Sequence, residues 1–370
     1  MRILQFISSL SVGGAEMIVK DYTLSLKKLG HEVMVLVFES DESWPYEKMV
    51  REAGIRVECV GPQPESGVFK KAVGRVFRRS RIDRKTLSFI KEFKPDVIHS
   101  HLDLITVISD IRGELKGIKQ VFTCHNEPER IFGAEETKAV NNLTGEADFV
   151  IIALHEKMAD EIKQLFPETN VVVLENPIDL HRFAAPKKNK NSLKKELKIS
   201  DDAFVIGNVG RFVPQKNHDL LIEIFAKISE VNLKAFLLMI GENTAQSREK
   251  VTNKLDSLGL SGKYLVLQNI SDMPSFYGIM DVFLLPSLFE GFPVSLLEAQ
   301  AAGLKCVVSN TVSEEAFLTE KIIPVPLSSS SEIWRDAVMT NDYPAYKPAR
   351  ELRNYDLDNV IKKLLKIYNQ

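Results

Sequence analysis

Short apolar runs rich in Val, Ile, Leu and Phe alternate along this chain with longer amphipathic stretches, the pattern that buries a parallel sheet between two layers of helices. In the first half the strand pattern falls on residues 2–7, 32–38, 56–60, 96–99, 119–124, 149–153 and 171–174. A helical pattern over 16–29, closed by Gly30, is the clearest element between them. A second series of strands is predicted at 203–209, 234–240, 264–267, 281–285, 305–309 and 322–325. Between the two series, after Asn176-Pro177-Ile178-Asp179, residues 185–198 are polar and Lys-rich and lose their apolar period, which marks them as a boundary. The pattern predicts an α/β fold of two Rossmann-like domains, 1–180 and 181–345. A helical segment over 346–370 is expected to pack back on the first domain. In such sheets ligands bind beyond the carboxyl ends of the strands, so the strand-to-helix loops are where chemistry is expected, facing one another across a cleft.

Composition narrows the class. Over 370 residues, 48 Lys and Arg stand against 50 Asp and Glu, a net charge of −2, with 44% hydrophobic and 26% charged residues. That balance excludes disordered, collagenous and coiled-coil chains and gives no overall case for nucleic acid as a partner. Cys59, Cys124 and Cys306 are far apart with no Cys-x-x-Cys pair, which argues against a disulfide framework or a zinc knuckle and for a reducing, cytoplasmic setting. No run reaches the roughly 18 apolar residues of a membrane span. One stretch departs from the even charge. Residues 68–85 hold eight cations, among them Arg78, Arg79, Arg81 and Lys85, against Asp83 alone, with Val68, Phe69, Val73, Val76 and Phe77 interleaved. A basic amphipathic stripe of this kind predicts peripheral docking on an anionic membrane surface, at the inner face of the cell membrane.

Three loops carry candidate chemistry. In the passage from Ser287 to Gly303, Gly291 permits an unusual turn, and Pro293 suits the first turn of a helix reaching about residue 302. The start of that helix offers free N–H groups and a partial positive charge to an anion, with Glu290 just before it and Glu298 inside it. Carboxylates beside a phosphate site suit recognition of sugar hydroxyls. After the strand at 203–209, Arg211 can fork onto phosphate oxygens, Lys216 adds a point charge, Gly210 lets the backbone come close, and Asn217 is expected to cap the next helix. The Walker loop pattern is absent. Gly13 and Gly14, after the first strand, allow close backbone approach, but Gly-x-Gly-x-x-Gly is missing, which argues against a dinucleotide dehydrogenase. His99 and His101, and Thr123-Cys124-His125-Asn126, end two further strands without the spacing of a zinc set, so no metal is expected; one of the first pair is expected to be packed and the other polar at the cleft.

Taken together, Gly13-Gly14-Ala15-Glu16, Val97-Ile98-His99-Ser100-His101, Asn176-Pro177-Ile178-Asp179, Gly210-Arg211 through Lys216-Asn217, Gly241-Glu242, and above all Glu290-x7-Glu298 resemble the retaining glycosyltransferases of the GT-B fold, family 4. The resemblance implies a cofactor-free, metal-independent transfer from a nucleoside diphosphate sugar, a UDP-sugar first, to a glycan or lipid-linked hydroxyl in cell-surface polysaccharide (capsule or lipopolysaccharide) synthesis. It also implies that Arg211 and Lys216 hold the diphosphate, Glu290 the donor sugar, and Glu298 the ribose. Gln268, Asn269 and Ile270 would meet the base. Gly13 and Gly14, with Gly291, Phe292 and Val294, would approach the donor. His101, with His99 as its alternate, would stand near the transferred sugar. Pro177 stands where relatives often have Gly, and Leu154-His155 where they often have Val-Ser. A nucleotide-sugar epimerase or phosphorylase of the same fold, or a silent transferase-like partner subunit, are the competing readings.

Overall fold

The computed structural model describes residues 1–61, 75–145, 148–242, 244–290, 292–342, 345–348 and 350–370, with residues 75–80 and 103 described by backbone alone. Two compact units divide the chain: Met1–Pro177 with Asp358–Gln370, and Ile178–Leu357.

The first unit is built on seven parallel strands: β1 (Arg2–Ile7), β2 (Glu32–Val37), β3 (Arg56–Cys59), β4 (Val97–His101), β5 (Lys119–Thr123), β6 (Phe149–Ala153) and β7 (Val171–Val173). Their order is β3-β2-β1-β4-β5-β6-β7. Strands covered on both faces must be apolar throughout, and Ile3, Leu4, Phe6 and Ile7 of β1 are indeed fully buried. Gln5 breaks that run and is equally buried. The order reverses between β1 and β4, so the loops after these two strands diverge and leave a crevice at their carboxyl ends. Gly13 and Gly14 open the helix that follows β1, and His101 is the last residue of β4. β4 runs two residues past its predicted end, and Leu102 follows His101 in the left-handed region at φ 60°.

The second unit repeats the plan with six parallel strands: β8 (Phe204–Val209), β9 (Ala235–Ile240), β10 (Tyr264–Leu267), β11 (Val282–Leu285), β12 (Lys305–Ser309) and β13 (Ile322–Val325). Their order β10-β9-β8-β11-β12-β13 reverses between β8 and β11, after which come the Arg211 and Glu290 loops. The helix His218–Val231 covers one face with Leu221, Ile222, Ile224, Phe225 and Ile228, and Trp334 completes that core.

The division falls at Pro177/Ile178, ahead of the Lys-rich passage expected to form the boundary. That passage folds as the helix Lys190–Glu196, capped by Asn189, because Leu193 and the stem of Lys194 are buried and the Lys194 ammonium donates to the carbonyls of Asp201 and Ala203. Residues 346–357 also stay with the second unit. Tyr355 is buried and stacks on Phe292 at 5.5 Å. Its carbonyl accepts from Ile178 N, whose own carbonyl accepts from Leu357 N. Only Asp358–Gln370, most of the helix Leu357–Asn369, belongs to the first unit. Among the described residues no helix is long and apolar enough to cross a membrane.

Candidate active site

In the second unit the carboxyl ends of the strands are laced together by backbone bonds. Gly210 N donates to Ile240 O, Phe212 N to Glu242 O, and Gly241 N to Leu267 O, at 2.9–3.0 Å. Gly241 is required there: a Cβ would overlap the Gly210 carbonyl. The loop after β8 is thereby held close to the sheet, with Lys216 folded over Gly210.

Across the switch point, Lys216 is ion-paired with Glu290, and both side chains are largely buried. Ser287 Oγ donates to the same carboxylate at 2.8 Å, and Gln215 Nε2 reaches its other oxygen at 3.3 Å. Leu288 N donates to Gln215 O at 2.8 Å, so backbone and side chains together join the two loops. A third loop braces them. Ser309 Oγ and Thr311 Oγ1 donate to Ser287 O, and Ser313 N to Glu290 O. Arg211 lies exposed on the same turn, and its guanidinium makes no hydrogen bond or ion pair among the described residues.

The helix Val294–Ala301 follows with Pro293 at its cap and no side chain closing its first turn; Leu296 N donates to Pro293 O at 3.0 Å, which leaves the N–H groups of Val294 and Ser295 to a ligand. Glu298 is buried inside it and accepts from Tyr277 Oη at 2.9 Å, a charge-assisted bond. Phe292 is buried against Tyr355, and Val294 opens the helix. Gly291 lies outside the described residues, as do Asn243 and, from the basic stretch, residues 68–74. Asn269 and Ile270 follow β10; Asn269 is exposed and left-handed at φ 58°, a conformation Asn tolerates. Asn217 departs from expectation. It stands at the cap position, but in the left-handed region and with no side-chain bond, because the preceding turn Pro214–Lys216 delivers the chain at that angle.

In the first unit Gly13 is the extended cap of the helix Gly14–Lys28, and a side chain at 13 would collide with the Glu16 carboxylate, folded back over the helix start. His99 and His101 both lie on one side of β4, their rings 4.1 Å apart. Neither is open to a ligand: both are 0% exposed, where the sequence pattern packs one and leaves the other polar at the cleft. His101 spends both nitrogens internally, Nε2 on Gln5 Oε1 and Nδ1 on His125 Nε2, each at 2.9 Å. His125, half-buried, is the end of this series that a ligand can reach. Desolvation pushes it down to about 4, so its imidazole is neutral. Its link to His101 depends on the register of β4 and β5, which pairs His101 with Thr123. His155, which stands where relatives often have Ser, caps the helix Glu156–Leu165, Nδ1 accepting from Met158 N.

Comparison with known proteins converges on glycosyltransferases. Residues 12–182 match the model of "Glycosyltransferase Family 4", and residues 189–320 that of "Glycosyl transferases group 1". The chain is 32% identical over 236 residues to the UDP-Gal:alpha-D-GlcNAc-diphosphoundecaprenol alpha-1,3-galactosyltransferase of Escherichia coli, covering 60% of this chain and 59% of that one. It is 26% identical to the putative glycosyltransferase EpsF of Bacillus subtilis, over 100% of this chain and 96% of the relative. The crystal structure of Anabaena HepE in complex with UDP and glucose superposes with a TM-score of 0.78 at 18% identity, covering 100% of this chain and 99% of that one. With two consecutive family models spanning most of its length and two units built on parallel sheets, the chain belongs to the GT-B glycosyltransferases of family 4.

Proposed function

We propose that this protein transfers a sugar from a nucleoside diphosphate sugar, a UDP-sugar first, to a hydroxyl of a glycan or lipid-linked acceptor, with retention at the anomeric carbon and without a metal. The observation that carries the reading is the joining of the Arg211–Lys216 loop to the Glu290 loop beside an open helix start. Cations, helix N–H groups and a carboxylate converge there, as a diphosphate and a sugar diol require. The E. coli relative's name, with its UDP-sugar and diphosphoundecaprenol-linked acceptor, supports the choice of both substrates, and the HepE complex supports UDP.

In this reading Arg211 and Lys216 stabilise the negative charge that grows on the leaving diphosphate. Charge-assisted hydrogen bonds of about 1.5–3 kcal/mol each outweigh a helix dipole of at most about 2 kcal/mol. The diphosphate itself takes the acceptor proton on the face it leaves, which accounts for retention. Glu290, already held by Lys216 and Ser287, binds donor hydroxyls, and Glu298 the ribose. Gly13 and Gly14 are assigned to the donor, and Asn269 and Ile270 to the base. His125, neutral and reachable, replaces His101 as the histidine that meets the sugar.

A panel of UDP-, GDP- and ADP-sugars scored by rise in melting temperature identifies the donor. Proton NMR of the first-formed glycoside then reads the anomeric configuration. An inverted product sinks retention, and activity lost to a chelator and restored by magnesium or manganese sinks metal independence. Free sugar phosphate or an epimerised donor as the product would establish the phosphorylase or epimerase reading instead.

A further inference from the structure

The helix Leu357–Asn369 brings Tyr368 into the centre of the first unit's sheet, where the residue is 4% exposed. Val360 and Leu364 are buried on the same helix, and Lys363 pairs with Glu175 at 2.9 Å. Tyr368 Oη lies 2.7 Å from His99 Nδ1 and 3.2 Å from Gln5 Nε2. His99 Nε2 lies 2.7 Å from Thr123 Oγ1. Together with the bonds from Gln5 to His101 and from His101 to His125, these contacts form one unbroken chain of hydrogen bonds: Thr123, His99, Tyr368, Gln5, His101, His125.

Each link holds a single proton, so the links are not independent. The short phenol–imidazole distance suits an O–H donor, and the longer amide contact suits an N–H donor. Tyr368 therefore donates to His99 Nδ1, and its oxygen accepts from the Gln5 amide. That turns the Gln5 carbonyl to His101, which must carry its proton on Nε2 to meet it. His101 Nδ1 is then bare and accepts from His125 Nε2–H. A neutral His125 protonated at Nε2 presents a lone pair at Nδ1. Turning the Gln5 amide over would reverse every bond: Tyr368 would donate to Gln5, His99 to Tyr368, and His101 to His125. The outward nitrogen of His125 would then be a donor.

We propose that Tyr368 is a positioning residue for the reaction, fixing through Gln5 and His101 the tautomer in which His125 meets its substrate; this rests on the reading above that His125 faces the sugar. The phenol proton selects the amide orientation, and the amide selects which His125 nitrogen carries hydrogen. Stacking fixes the rings in the same cause, with Tyr22 on His99 at 6.1 Å and Tyr368 edge-on to His99 at 5.7 Å.

The test is nitrogen NMR of histidine-labelled full-length protein, with wild type compared with Tyr368→Phe, and with Gln5→Met as a second break in the chain should the first variant fold poorly. Wild type is expected to show His125 as the Nε2-protonated tautomer alone. Either variant is expected to show a mixture, with kcat about tenfold lower and the donor KM within twofold. A double variant should add nothing further, because both cut the same chain. An unchanged single tautomer in a folded variant overturns the proposal, and so does a mixture with wild-type kcat. The reading beneath it fails separately: His125→Ala with normal turnover would remove His125 from the site whatever the spectra show.

Discussion

Lys216 and Glu290, 74 residues apart in sequence, are bound to each other across the switch point of the second sheet. The cation expected to meet the donor diphosphate is thus partly neutralised until the donor arrives, and the carboxylate expected to meet the sugar is pre-oriented. Glu290→Gln keeps the shape of the side chain and one oxygen for Lys216 and Ser287, but removes the charge and the acceptor that faces Gln215 Nε2. It should lower turnover by about a hundredfold, the range for losing one charge-assisted contact in the transition state, with an unchanged circular dichroism spectrum. Arg211→Ala should do the same. Near wild-type rates in both variants would falsify the assignment of this site.

Tyr277 presents its hydroxyl to the buried Glu298 and is itself fully buried. Tyr277→Phe leaves that carboxylate short of a donor, which should cost about 1–3 kcal/mol of stability. The donor KM should rise several-fold with kcat held. Calorimetry and steady-state kinetics read the two effects; a variant as stable as wild type contradicts the first.

Acid should weaken the fold through histidine. Desolvation, aided by Lys216, pushes His218 down to about 4, and desolvation alone does so for His125. Their unfolded values lie near 6.5, so between about pH 6.5 and 4 the unfolded chain binds protons that the folded chain does not. Stability is full above that window and falls as pH drops through it. The melting temperature should therefore decline from pH 7 to 4.5, and less steeply in His218→Gln. Parallel slopes would show that His218 takes no part.

Residues 68–85 should carry the protein to anionic vesicles. The backbone of residues 75–93 is helical, and at about 1 kcal/mol per well-placed cation even half of the eight would suffice. Sedimentation with anionic vesicles should exceed that with neutral ones and fall at high salt. Equal binding to both, or no loss after Arg78, Arg79 and Arg81 are changed to Glu, would remove the membrane from the account.

The strands were legible because a sheet covered on both faces demands apolar runs, and no other element of four to seven residues does. The Arg211 and Glu290 loops were legible for a related reason: glycine, proline and charge cluster just after such runs. The pairing of Lys216 with Glu290 was not, since it depends on β8 and β11 lying side by side, and strand order is written in no local segment. His125 escaped for the same reason, its partner lying 24 residues away on a neighbouring strand. Gln5 did leave a trace, as the one polar residue within a run of buried apolar ones. Within the helix Lys190–Glu196 of the Lys-rich passage Leu193 is the one apolar side chain, and Leu197 just past its end is too little to set a period with it.

The bond between Gln5 and Tyr368 spans 363 residues. During synthesis the first sheet emerges long before the helix that completes it, so the first unit waits through the making of the entire second one with Gln5 and His99 lacking their phenol. Domain-by-domain folding in order of emergence is therefore closed to this chain: its first unit to begin is finished only once residues 358–370 have been made.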